Sequence, residues 1–110
     1  MKNQVDKILV DEVYNFAMND YDTYNKLVTI YLDNLKKKRI KGTYDKKKSY
    51  KLLEYYYQNY VRPNMKNPRK YGFDPKLNPK ERQIVSKYFG DYLWEEFIKN
   101  VKPKPKTIKK

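Results

Sequence analysis

Apolar residues return every three or four positions over four stretches of the chain, which predicts four helices. The first runs over about 4–18, with Val5, Ile8, Leu9, Val13, Phe16 and Ala17 on one stripe. Asn3 suits its N-cap, Asp6 suits its first turn, and Asn19-Asp20 ends it. The second runs over about 22–40, with Tyr24, Leu27, Val28, Tyr31 and Leu35 sharing a face and Asp20 or Asp22 as cap. Gly42 stops it, because glycine adopts the left-handed conformation that closes a helix. The third follows the cap residue Asp45, covers about 46–61 and carries Leu52, Leu53, Tyr56, Tyr57 and Tyr60 inward. Pro63 is expected to end it, since the residue before a proline avoids helical angles.

The fourth helix, about 79–100, has the sharpest start. Asn78 caps, Pro79 takes the first helical position and Glu81 completes a capping box. Ile84, Val85, Tyr88, Phe89, Tyr92, Leu93 and Phe97 form a wide apolar face, extended sideways by Trp94, Ile98 and Val101. Gly90 inside it marks close helix packing. Between the third and fourth helices, residues 62–77 form a connector broken by Pro63, Pro68, Gly72 and Pro75, with Tyr71 and Phe73 giving it something to pack. Residues 102–110 read as a disordered, extended Lys/Pro tail. No strand alternation and no repeat competes, so the expected fold is all-α: one small, four-helix bundle-like domain over residues 1–101.

Composition narrows the chemistry. The chain has 110 residues, no Cys and no His, which excludes disulfides, thiolate and imidazole metal sites, and nucleophile systems that need either side chain. Three glycines cannot write a phosphate-binding or dinucleotide loop. No apolar run reaches the ~20 residues that span a bilayer, and Asp6, Lys7 and Asp11 interrupt any signal-peptide core, so the expected address is cytoplasmic, with no membrane partner. The carboxylate groups Asp11 with Glu12, Asp20 with Asp22, and Asp91 with Glu95 and Glu96 are explained by caps and solvated faces. No catalytic residue, metal site or cofactor is assigned, and the chain is read as a non-enzyme.

Charge then supplies the candidate site. The net charge is +13, and it is unevenly placed. Residues 1–35 carry three basic and six acidic groups, whereas residues 36–51 carry nine basic and one acidic. The corner between the second and third helices therefore holds Lys36, Lys37, Lys38, Arg39, Lys41, Lys46, Lys47, Lys48 and Lys51. A solvated basic corner is the plain reading. The functional one is a face for phosphates, where ammonium groups displace condensed counterions. Lys outnumbers Arg, which favours positioning contacts over base readout, on DNA or RNA alike. Thirteen tyrosines are present. Of the run Tyr55-Tyr56-Tyr57, one ring must leave the inward stripe, and Tyr55 is that ring. Tyr55, Tyr71 and Trp94 are candidate anchors for a protein partner.

Asn19-Asp20 with Tyr24, Ile30, Asn34-Leu35, Gly42-Thr43-Tyr44-Asp45, Leu52-Leu53 with Tyr55 and Tyr60, and then Phe73, Arg82, Val85, Leu93 and Phe97 carry a resemblance. Over residues 14–97 the chain resembles a family of small uncharacterised bacteriophage and mobile-element proteins, most sharply in Gly-Thr-Tyr-Asp followed by Leu-Leu-x-Tyr. It departs from them in its Tyr-rich third helix, Pro-rich connector and Lys-Pro tail. The resemblance implies genomic context and no chemistry. A small phage protein without catalytic residues works by binding, which leaves two expectations. One is nucleic-acid binding through the basic corner. The other is an anti-defence, anti-CRISPR-like or host-takeover inhibitor that docks a host protein or ribonucleoprotein. The sequence leaves oligomeric state open, and the wide face of the fourth helix would serve for a homodimer.

Overall fold

The computed structural model describes residues 5–66 and 74–103, and among them it is all-helical. Helix α1 is Lys7–Asn19. Helix α2 joins Tyr21–Lys26 to Leu32–Lys41 through a π-turn at Leu27–Tyr31. Helix α3 joins Lys46–Tyr56 to Arg62–Met65 through a second π-turn at Tyr57–Val61. Helix α4 is Pro79–Leu93, continued by a third π-turn at Trp94–Ile98. The longest seam is α3 against α4; α1 lies along α4, and α2 meets α3 and the end of α4.

The caps follow from short polar side chains at the helix starts. Asp6 is the N-cap of α1, its carboxylate accepting from the Leu9 N–H at 3.1 Å, so it stands one step outside the helix and not in its first turn. The expected cap Asn3 lies outside the described residues. Asp20 caps α2 by accepting from the Thr23 N–H at 3.1 Å. Asn78 and Glu81 form the expected capping box, each bond 2.8 Å long. Glu81 is 5% exposed, and its second oxygen accepts the Asp6 backbone N–H at 2.8 Å, so one carboxylate ties the starts of α1 and α4 together.

Two helical expectations are corrected. Pro63 does not end α3, which continues to Met65. The π-turn just before it explains why. The Arg62 N–H bonds back five residues to the Tyr57 carbonyl, and the widened turn makes room for the proline ring where a regular helix would meet a clash. In α1, Ile8 is 74% exposed, while Val10, absent from the expected stripe, is fully buried. Residues 10, 13 and 17 share the face that meets α4, and position 8 lies two residues, about 200°, away from position 10.

The core is built from Val10, Val13, Leu27, Leu53, Val85, Phe89 and Leu93, with Tyr56 and Tyr57 fully enclosed. Each enclosed phenol finds an acceptor, as buried hydroxyls must. Tyr56 donates to the Thr23 carbonyl at 2.9 Å, and Tyr57 donates to the Pro75 carbonyl. The second of these bonds fastens the end of the connector, where Pro75 and Leu77 are buried and Arg62 holds Asp74 through two bonds of 2.8 and 2.9 Å. Tyr71, Phe73 and residues 104–110 of the tail lie outside the described residues.

Gly90 bears out the expectation of close packing. A Cβ built there would stand 2.6 Å from Tyr50 Cδ1, and the ring cannot swing away freely because its hydroxyl donates to Asp91 at 2.8 Å. Gly90→Ala is therefore expected to lower stability by about 1–2 kcal/mol, an overpacking cost of ~1–3 reduced by the gain in helix propensity. Urea unfolding checks this, and a stabilised variant would contradict it. Burial also pushes the Tyr50 and Tyr57 phenols up to about 12 from the ordinary 10.0. In the unfolded chain both ionise near the ordinary value. Their contribution to stability is thus whole below pH 10 and is lost as pH rises through 12. A tyrosinate absorbance titration of the native chain is expected to lag that of the chain in denaturant over this window.

Candidate nucleic-acid interface

The basic corner is formed by a four-residue turn. Gly42 has φ 82°, in the left-handed region, so the chain leaves α2 without a Cβ clash. Its N–H bonds to the Arg39 carbonyl at 3.1 Å, and the Thr43 N–H bonds to the Lys38 carbonyl at 2.9 Å. Asp45 then caps α3 by accepting from the Lys48 N–H at 3.1 Å. Tyr44, between them, stacks on Trp94 with ring centres 5.4 Å apart and planes inclined at 22°. Its hydroxyl is buried without a hydrogen-bond partner, and burial raises its pKa.

The structure divides the nine cations of the corner. Four are engaged within the chain. The Arg39 guanidinium lies 5.0 Å from the Trp94 ring centre, and its Nε donates to the Val101 carbonyl at 3.0 Å. The Lys46 ammonium also lies over Trp94, at 5.9 Å, and Lys36 lies over Phe97 at 5.7 Å. Lys37 pairs with Asp33 at 3.2 Å. The other five, Lys38, Lys41, Lys47, Lys48 and Lys51, are exposed and enter no ion pair among the described residues.

Trp94 is thus half-buried and occupied from within. It anchors the corner to α4, which the sequence pattern did not reveal. Tyr55 is 61% exposed, as the face argument required, and Tyr71 lies outside the described residues.

Beside the corner, α3 and α4 enclose a groove of about 450 Å³ lined by Lys47, Tyr50, Lys51, Glu54, Gln83, Ser86 and Lys87. Two of these residues, Tyr50 and Lys87, donate to Asp91, each at 2.8 Å. Burial by itself would raise the Asp91 pKa, but the Lys87 ammonium and the Tyr50 hydroxyl hold it below the usual carboxylate value. Lys87 and Tyr50 were not assigned from sequence. The one signal that could have found them was Gly90, which marks where α3 comes closest to α4.

Among the described residues no group of three or more carboxylates could hold a metal ion, and no helix is long and apolar enough to cross a membrane. No family model, curated protein or solved structure matches this chain.

The Trp94 contacts make a stability test. Trp94→Ala is expected to cost about 2–4 kcal/mol, toward the low end of the ~3–5 for a core tryptophan because the indole is half-exposed. Raising the salt concentration is expected to recover part of that loss in the variant by screening the released cations. Thermal unfolding at low and high salt reads both effects.

Proposed function

We propose that this chain is a non-enzymatic binding protein that grips the phosphate backbone of nucleic acid with the exposed lysines of its α2–α3 corner. The observation that carries the reading is electrostatic. Lys46, Lys47 and Lys48 occupy the first turn of α3, where no acidic residue sits, while Lys38, Arg39 and Lys41 crowd the last turn of α2. The α2 cations complement the negative end of their helix, but the α3 cations face the positive end of theirs, at ~0.3–1 kcal/mol each. A corner that repels itself in this way is relieved by an anion. A polyanion relieves it at several lysines at once and gains from counterion release.

The division of the cations supports a working split. Arg39 and Lys46 hold the corner on Trp94, and Lys38, Lys41, Lys47, Lys48 and Lys51 face solvent. The same reading takes the four helices as a bundle-like scaffold, the Lys/Pro tail as a further cationic arm, and the phage-type resemblance as its genomic setting. The rival, an inhibitor docked on a host protein, has less support, because Trp94 is engaged inside the chain and only Tyr55 stands out among its described anchors.

The test is the salt dependence of binding to a labelled duplex and to a labelled single strand. The triple variant Lys38→Glu, Lys41→Glu and Lys48→Glu is expected to bind at least about 100-fold more weakly at low salt, and its log K against log salt slope to be smaller by about 2–3. Circular dichroism confirms that the variant folds. Undiminished binding by the folded variant, or retention of one stoichiometric protein from nuclease-treated host lysate in place of nucleic acid, overturns the reading.

A further inference from the structure

We infer that the groove between α3 and α4 seats an unpaired nucleic-acid strand, with phosphates on Lys47, Lys51 and Lys87 and a base stacked on Tyr55. This rests on the nucleic-acid reading above and adds to it which form of nucleic acid is preferred and where it runs.

The argument begins with spacing on α3. Positions 47, 51 and 55 follow at intervals of four, so they share one helix face and climb it in steps of about 6 Å. Along that line stand an ammonium, a second ammonium and an aromatic ring that is 61% exposed. Most of the other rings in α3 are drawn inward: Tyr56 and Tyr57 are fully buried, and Tyr60 is half-buried against Tyr31. Exposing a large ring beside two lysines wastes its burial energy, unless a flat partner covers it on binding.

The opposite wall completes the site. Lys87 reaches the groove from α4 and is held by Asp91 at 2.8 Å, which leaves the ammonium with further donors. Gln83, exposed one turn earlier, offers an amide that can both donate and accept. Glu54 also lines the groove, one residue before the exposed Tyr55. A carboxylate there repels a third phosphate and favours a base at that end of the track. The cleft between two packed helices admits a splayed strand, but a duplex offers only its convex outer surface to it. Stacking on an aromatic ring also needs a base that is not already enclosed in a duplex.

The experiment uses the full chain, a fluorescent oligothymidylate strand and a duplex of the same length. The single strand is expected to bind at least about tenfold more tightly. Tyr55→Leu is expected to lower single-strand affinity by about tenfold and leave duplex affinity unchanged, while Tyr55→Phe retains the wild-type value. Lys51→Gln with Lys87→Gln is expected to reduce the single-strand salt slope by about 1–1.5. Equal affinity for strand and duplex, or single-strand affinity unmoved by Tyr55→Leu, overturns the groove assignment. The corner reading survives that result if the Lys38, Lys41 and Lys48 variant loses binding. No binding to either nucleic acid ends both.

Discussion

The indole of Trp94 is the contact on which the charged half of this protein depends. A turn carrying nine cations and one acidic group within 16 residues has every electrostatic reason to stand away from the rest of the chain. It is drawn in because the indole face attracts cations without contributing a negative charge. Arg39 and Lys46 lie over that ring, Tyr44 stacks on it, and Arg39 reaches on to the Val101 carbonyl. The corner is thereby fixed on the end of α4 while five of its lysines stay in water. An acidic tether would have neutralised the surface it was holding. An aromatic one leaves it positive.

The same economy runs through the interior. This chain has thirteen tyrosines, so its largely aliphatic core also carries rings whose hydroxyls must be satisfied. Tyr56 reaches the Thr23 carbonyl, Tyr57 the Pro75 carbonyl and Tyr50 the Asp91 carboxylate, while the Tyr24 and Tyr92 hydroxyls meet each other at 2.7 Å. Each bond joins two elements that are distant in sequence, so the phenols act as cross-links as well as filling. Among the described residues, tyrosine thus supplies several of the hydrogen bonds that fix one element against another, and the burial of these rings raises the pKa values of Tyr50 and Tyr57.

Much of the helical content was legible because its causes are local. Asn78, Pro79 and Glu81 signal a helix start through their own backbone geometry, and Gly42 signals a stop in the same way. What escaped was what depends on a neighbour. Pro63 reads as a terminator until the π-turn before it opens space for the ring. Ile8 and Val10 are equally apolar, and only the position of α4 decides which of them is buried. The cations of the corner were visible as a group, but their division was not, because no rule of spacing connects Arg39 to residue 94 or to residue 101.

The sequence by itself determined the all-helical class, the caps of α3 and α4, the concentration of positive charge between α2 and α3, and the outward turn of Tyr55, since periodicity, capping and charge counting act within a few residues. Only the tertiary structure decided that Trp94 faces inward, that Lys87 and Tyr50 meet at Asp91, and that Lys47 and Lys51 line a groove with α4. The physical reason is the contact of Tyr50 with Gly90, residues 40 positions apart. The missing Cβ lets α3 and α4 approach closely, and the distance between two helices is set by the side chains packed between them rather than by either sequence alone.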